Sequence, residues 1–329
     1  MSDFMNLVEI CKGHTVYIQT HNFPDADALS SAYGLQKLLE KFDIASTLCS
    51  KGDIDRVSTF KMLDFFEIEM KEYNSIKENL KEDDYIICVD SQKNAGNIID
   101  MLGEEIACID HHPTFVEVDY LYKEVEITGA CASLIARHYK ELNISPDENV
   151  ATALLYGIKM DTLQFTRGVT LLDIQMFGYL FPYINQEKLR SLEINNIEFN
   201  DLKSYGYAIH NIEVFGTVGF AEIPFHCPDG LMGIISDFIL ALEEVEVAVI
   251  FSHRDGGLKF SVRSELPEVN AGILVKTALE GLGSGGGHAT MAGGFVPKDN
   301  VALLNLPIEG TIQSRFMETI DALYGHIEV

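Results

Sequence analysis

Three short apolar runs in the first half of the chain constrain its fold most, and each stops at a residue that binds cations. Residues 15–20 (TVYIQT) lead into His21, residues 85–89 (YIICV) into Asp90, and residues 106–109 (IACI) into Asp110, His111 and His112. Short continuous apolar runs fit strands covered on both faces, as in a parallel sheet. Apolar residues take helical spacing over residues 27–42, after the first run, and over 129–139 and 149–160, beyond the third. This β–α alternation implies an α/β domain with a doubly wound, mainly parallel sheet. In open parallel sheets, ligands bind outside the carboxyl ends of the strands. Three strands would therefore deliver His, Asp and Asp-His-His to one rim.

The chain has 329 residues, which at roughly 100–200 residues per domain suggests two domains. Beyond Pro182 the pattern changes. Residues 186–212 are polar and lack a β-type run, so they read as a linker with helix. Strand candidates follow at residues 217–223, 245–252 and 258–263, then a helix at 270–280, a glycine-rich turn at 281–294 (GLGSGGGHATMAGG) and a strand around 294–296. Strands and helices mix here without strict alternation, which predicts a smaller mixed α+β domain.

Composition excludes several function classes. There are 50 acidic and 24 basic side chains, for a formal charge of −26. Such a surface repels long nucleic acid, whose sequence-independent affinity needs Lys and Arg, and anionic lipid. A short nucleotide held through bound cations is compatible with it. No apolar run reaches the roughly 18 residues of a membrane span; residues 231–251 are interrupted by Asp237, Glu243, Glu244 and Glu246. Residues 1–14 lack the basic region of a signal peptide. The six cysteines form no C-x-x-C pair, and Cys88 and Cys108 lie inside apolar runs. We therefore expect buried thiols and a reducing cytoplasm.

The strand ends and their flanks supply His21, Asp25, Asp27, Asp90, His111 and Asp161. Imidazoles and carboxylates without thiolates suit Mn²⁺ or a related divalent ion. Six such side chains exceed one ion's needs, whereas two ions about 3.5–4 Å apart and sharing a carboxylate would use them all. Singly, each motif has a plain reading: Asp-His-His as a surface turn, HNFPDAD as a helix cap, Asp161 as a helix end. Their conjunction in one α/β domain points to a metal centre. In the second half, Gly281, Gly283 and Gly286 satisfy G-x-G-x-x-G, but a helix precedes them, which excludes a dinucleotide site. There is no Walker A sequence. What remains is a glycine-dense turn carrying His288, whose backbone N–H groups can approach a phosphate. Arg263 ends a β-type run and offers a cation for an anionic ligand.

These residues resemble the DHH phosphoesterase family, in the branch that pairs a DHH domain with a glycine-rich associated domain. His21-Asn-Phe-Pro-Asp25-Ala-Asp27 is similar to the first family motif, Val89-Asp90-Ser91 to the second, Asp110-His111-His112 to the third and Gly157-Ile-Lys-Met-Asp161-Thr162 to the fourth. Arg263-Ser264, Gly285-Gly286-Gly287-His288 and Ala292-Gly293 are similar to the signature of the associated domain. The resemblance covers nearly the whole chain. It implies a metal-binding catalytic DHH domain over residues 1–185, a helical linker over 186–212 and a substrate-binding domain over 213–329.

The branch it most resembles is that of the bacterial NrnA-type nanoRNA phosphodiesterases, some of which also dephosphorylate 3′-phosphoadenosine 5′-phosphate (pAp). The resemblance implies one Mn²⁺ on His21, Asp25 and Asp90, and a second on Asp27, Asp90, His111 and Asp161. Asp110 would orient a ligand, and His112 would face the scissile phosphate as donor or acid. Arg263, Ser264, Gly285, Gly286, Gly287 and His288 would grip the nucleotide. A cytoplasmic enzyme acting on short oligonucleotides, as a possible homodimer, is the implied whole. Cyclic or linear dinucleotides, pAp and pyrophosphate are the alternative substrates, and a catalytically silent nucleotide-binding regulator is the alternative class. RecJ-type exonucleases are longer relatives. One position departs from the pattern: Ser30-Ser31 stands where the family usually has Gly-Ser. We expect the Ser30 side chain to narrow the approach of a phosphate.

Overall fold

A computed structural model of the chain describes residues 4–52, 54, 57–114, 116–194, 197–304 and 307–325. They form two compact units, Met1–Asn196 and Ile197–Val329. The boundary falls inside the polar segment 186–212. Among its described residues that segment holds two α-helices, Gln186–Glu193 in the first unit and Leu202–His210 in the second, with a 3₁₀ turn at Phe199–Asp201.

The first unit is built on six strands: β1 (Val16–Gln19), β2 (Ser46–Ser50), β3 (Met70–Glu72), β4 (Tyr85–Val89), β5 (Glu104–Asp110) and β6 (Tyr122–Val125). Their order is β3-β2-β1-β4-β5-β6, and every pairing is parallel. The order reverses between β1 and β4, and a doubly wound sheet opens its ligand crevice at such a switch point. Alternation along β1 and β4 sends Val16, Ile18, Ile87 and Val89 into one core, and Tyr17, Ile86 and Cys88 into another. The larger core packs against α1 (Phe4–Cys11), α2 (Ala26–Glu40), α3 (Val57–Phe65) and, further along the chain, two buried helices. A short helix, α4 (Tyr73–Ile76), helps cover the opposite face. The two buried helices are α5 (Cys131–Glu141) and α6 (Glu148–Asp161); α7 (Leu171–Leu180) packs on both.

Ser30 on α2 is fully buried and donates its hydroxyl back to Asp27 O at 3.1 Å. It is accommodated because residue 157 on α6 is glycine: a Cβ there would stand 2.1 Å from Ser30 Oγ. The expectation that Ser30 narrows a phosphate approach is therefore corrected. Its side chain lies in the α2–α6 contact, a pairing of positions 127 residues apart that no local pattern announces.

In the second unit, β7 (Glu213–Phe215), β8 (Val218–Ile223), β9 (Val247–Arg254), β10 (Gly257–Ser264), β11 (Ser284–Gly287) and β12 (Met291–Pro297) form a mixed sheet in the order β11-β12-β10-β9-β8-β7. Only β8 and β9 pair in parallel among the described residues. The glycine run is thus an edge strand, and the expectation of a turn is corrected. The cause is a close packing that only glycine permits. A helix over Ala271–Ala278 crosses the strand so tightly that a Cβ at Gly272 would meet Gly287 O at 2.4 Å. Turns remain on either side of the strand: Leu282 N and Gly283 N donate to Leu279 O before it, and His288 N donates to Met291 O at 2.7 Å after it. Among the described residues no helix is long and apolar enough to cross a membrane.

Gly157→Ala should destabilise the protein by about 1–3 kcal/mol through overpacking. Ser30→Ala in the same chain should recover most of that loss, because it removes the clashing hydroxyl. Urea denaturation of the single and double variants checks this; an equal loss in both backgrounds would refute the contact.

Candidate metal centre

Each candidate ligand is delivered by a strand or helix end. His21 follows β1 and Asp90 follows β4. Asp90 holds a left-handed backbone (φ 57°), an uncommon conformation that Asp tolerates better than most residues. His111 and His112 follow β5. Asp25 is the N-cap of α2 and accepts the N–H groups of Asp27 and Ala28 through Oδ1. The capping role and proximity to the cluster therefore belong to the same carboxylate. Asp27 lies in the first turn of α2, and Asp161 is the last residue of α6.

Three groups of ligand atoms converge, each with members within 4.8 Å of one another: His21, Asp25 and Asp90; Asp27, His111 and Asp161; and Asp90, His111 and His112. Asp90 connects them. Its Oδ2 lies 3.6 Å from His21 Nε2, and its Oδ1 lies 3.3 Å from His111 Nε2. His111 Nε2 also faces Asp161 Oδ2 at 3.2 Å and Asp27 Oδ2 at 3.9 Å.

The hydrogen bonds show what these atoms await. His111 Nδ1 lies 2.9 Å from Thr128 O, and His21 Nδ1 lies 2.9 Å from Asn22 O. A carbonyl only accepts, so each Nδ1 carries the hydrogen and each Nε2 is left to point at carboxylates. Asp90 Oδ1 and His111 Nε2 are buried, and neither makes an aligned hydrogen bond, although they face one another. A neutral Nε2 lone pair against carboxylate oxygens is repulsive. The arrangement needs positive charge, either a second proton on each imidazole or a metal ion between the groups. Imidazole and carboxylate donors fit a divalent ion of the Mn²⁺ type.

The electrostatics agree. Burial alone would push His21 down, but Asp25 and Asp90 opposite it hold its pKa up at about 10. Burial likewise opposes charge on His111, and Asp90, Asp27 and Asp161 outweigh it, leaving the ring well above the usual histidine range. Asp27 is raised well above the carboxylate range by burial, then by Asp90 and Asp161. Burial pushes Asp161 up to about 6, even against the attraction of His111.

Around this cluster the chain builds supports. Asp27 receives the N–H groups of Cys131 at 2.6 Å and Ala132 at 2.9 Å, the positive end of α5. Asp110 is nearly fully buried and belongs to none of the three groups. It accepts His111 N, Gln92 Nε2 and His112 Nδ1, the last at 2.8 Å. His112 is thereby oriented at the more exposed edge of the cluster, and Asp110 and Asp90 raise its pKa despite burial.

Sequence reasoning missed four residues here. Gln92 bridges Asp110 and the His112 carbonyl. Thr128 fixes the His111 tautomer through its carbonyl. Asp173, fully buried in the first turn of α7, accepts from Thr128 Oγ1, Gly129 N, Ser133 Oγ and both Thr170 donors. It thereby ties down the segment that holds both His111 and Asp27. Thr170 and Asp173 have N-terminal capping spacing, a readable helix start; their reach to residues 128–133 has no local signal. Fourth, Arg167 donates to Asp161 O at 3.0 Å, with its guanidinium 3.8 Å from Asp161 Oδ1. The chain reaches it through three successive left-handed residues, Leu163, Gln164 and Phe165, a turn that costs about 1–2 kcal/mol per residue.

The second unit holds the remaining candidates. Arg263 is mostly buried, with Nε on Asp237 Oδ1 at 2.6 Å and Nη1 on Ser261 Oγ and Val262 O at 3.2 Å each. Ser264 is buried and donates its hydroxyl to Leu266 O. Gly285, Gly286 and Gly287 belong to β11, and His288 is exposed beyond its end.

Comparison with known proteins gives the family and the fold. Residues 15–158 match the model of the DHH family N-terminal domain, and residues 216–313 match the DHHA1 domain. An uncharacterised protein of Methanocaldococcus jannaschii is 28% identical over 92% of this chain and 63% of its own length. A probable manganese-dependent inorganic pyrophosphatase of Streptococcus equi subsp. zooepidemicus is 30% identical over 44% of this chain and 47% of its own. The chain thus spans between about half and just under two thirds of the length of these relatives. Among solved structures, an exopolyphosphatase-related protein from Bacteroides fragilis superposes with a TM-score of 0.76 at 18% identity, covering 96% of both chains. Thermus thermophilus RecJ in complex with Mn²⁺ superposes with a TM-score of 0.55 at 15% identity, covering 98% of this chain and 55% of that one. These two likenesses establish the fold.

A divalent ion binds neutral imidazole, so in the metal-free protein it must displace protons from His21 and His111. Mn²⁺ binding should therefore release protons at neutral pH, and affinity should rise with pH toward the His21 value of about 10. Without metal, the raised His21 pKa contributes stability that is complete below 6.5 and lost as pH rises through about 10. Calorimetric Mn²⁺ titrations in buffers of different ionisation enthalpy check the proton release; a pH-independent affinity would contradict the geometry.

Proposed function

The chain belongs to the DHH family, with a DHH domain followed by a DHHA1 domain, and on that premise we propose that it is a Mn²⁺-dependent phosphodiesterase. Its substrates are very short oligonucleotides, cleaved to 5′-mononucleotides. The observation that carries this reading is the Asp90 carboxylate, which offers one oxygen to each of two histidine-containing groups. His21, Asp25 and Asp90 would hold one ion; Asp27, Asp90, His111 and Asp161 would hold the other. When bound, a pair of divalent ions clamps phosphoryl oxygens and makes water acidic enough to attack phosphorus at neutral pH.

The chain's own residues supply the rest. Asp110 holds His112 by Nδ1 and favours its protonated form, so that the ring's other nitrogen can donate to an oxygen of the reacting phosphate. The α5 N–H groups hold the buried Asp27 side chain in place and offset part of the cost of charge there. Arg167 places a guanidinium at the Asp161 edge, where an anionic substrate meets an otherwise acidic surface. In the second unit, Arg263 and His288, beside Gly285, Gly286 and Gly287, would bind the nucleotide, with Ser264 bracing the strand end. The formal charge of −26 favours short substrates over long ones. Six buried free thiols are consistent with a reducing cytoplasm. The likeness to a probable inorganic pyrophosphatase supports pyrophosphate as the second reading.

With Mn²⁺, the purified protein should release AMP from the 5′-phosphorylated diadenylate pApA. Asp90→Asn should lower that rate by at least about 10³-fold, since it weakens both metal groups while conserving shape. Chromatography of the products decides: phosphate from pyrophosphate without AMP from pApA would overturn the oligonucleotide reading.

A further inference from the structure

We propose that Phe23 is the platform on which a substrate nucleobase stacks beside the metal centre; this deepens the oligonucleotide reading above and rests on it. Phe23 lies in the loop between β1 and α2, two residues after His21 and two before Asp25. It is 65% exposed. Its backbone is left-handed, with φ 57°, a genuine outlier for a bulky side chain. Pro24 follows, and a residue before proline is normally driven to extended backbone. An exposed aromatic ring on such a backbone gains little burial to offset the strain, and outliers of this kind cluster at ligand sites.

The surroundings hold the ring in place. Phe23 N donates to Lys51 O at 2.8 Å, and Asn22 N donates to Asn97 O at 2.7 Å, so the loop is pinned on both sides. The ring rests on the backbone of Gly52, beyond the end of β2. A Cβ at Gly52 would stand 2.5–2.8 Å from three ring atoms. Residue 52, itself left-handed at φ 89°, has no side chain to displace the ring, whose remaining surface is open among the described residues. Because β2 is the neighbour of β1, this platform stands on the same carboxyl rim as His21. A rigid aromatic face next to a phosphate-binding metal centre fits a nucleobase: the phosphate meets the metal while the base lies on the ring. Base–aromatic stacking tolerates any base and strengthens with ring size, so purines should be favoured over pyrimidines.

The protein has no tryptophan, so Phe23→Trp installs a single reporter at the platform. In the Mg²⁺-loaded Phe23→Trp protein, AMP should quench the emission saturably. Ribose 5-phosphate, with the phosphate but no base, should not. An equal response to both, or a response to neither, would overturn the proposal. A second pair of variants keeps the test independent of how the indole fits. Phe23→Leu, apolar but without a π-face, should raise KM for pApA by about tenfold or more, and Phe23→Tyr should restore it. An unchanged KM in Phe23→Leu would also overturn it. Wild-type AMP release from pApA is read separately: its absence would defeat the oligonucleotide reading, whereas its presence with no base-dependent quench would defeat only the role of Phe23.

Discussion

Everything around the strand-end rim depends on one buried group, the carboxylate of Asp90. It is 2% exposed, holds a left-handed backbone, and has an oxygen facing each of two histidines. Both histidines are committed through Nδ1 to backbone carbonyls, so their free nitrogens cannot be turned away. An uncompensated charge in such a place destabilises a protein by about 3–5 kcal/mol. Protons or metal ions must supply the missing positive charge. Metal ions do so while leaving the rings neutral, and that is the physical basis for assigning the centre.

The fold can meet this demand because of where its strand order reverses. β1 and β4 are neighbours whose chains leave the sheet in the same direction but wind to opposite sides. Their ends place His21 and Asp90 within 3.6 Å, and β5 adds His111 and His112 from the next strand. α5 then contributes N–H groups rather than side chains, stabilising Asp27 where its neighbours are also acidic. Asp173 fixes the start of that helix. The two demands of the site, converging negative charge and a rigid frame, are met by different parts of the same unit.

Much of this was legible in the sequence, and the reason is local. Strand ends, an N-cap aspartate and an Asp-His-His turn are contiguous patterns, so β1, β4 and β5 and the side chains that follow them could be placed by eye. Pairings between distant positions were not legible. Nothing near Ser30 says that Gly157 will face it, so its hydroxyl was expected at the phosphate rather than in a helix contact. Nothing near Asp173 says that residues 128–133 will gather round it. The glycine run read as a turn because glycines carry no strand pattern; the helix before it was legible, but its close crossing over β11 was not. Phe23 sat inside a recognised motif, yet its backbone angle and exposure are properties of the fold alone.

The most direct test of the account is to count and couple the metal ions. Mn²⁺ titrated into the metal-free protein, followed by electron paramagnetic resonance, should bind at two sites per chain. Filling the second should replace the spectrum of an isolated ion with the broadened spectrum of an exchange-coupled pair, because Asp90 would be shared between them. A single site per chain, or two sites with no coupling between them, would contradict the assignment of Asp90 as the shared ligand.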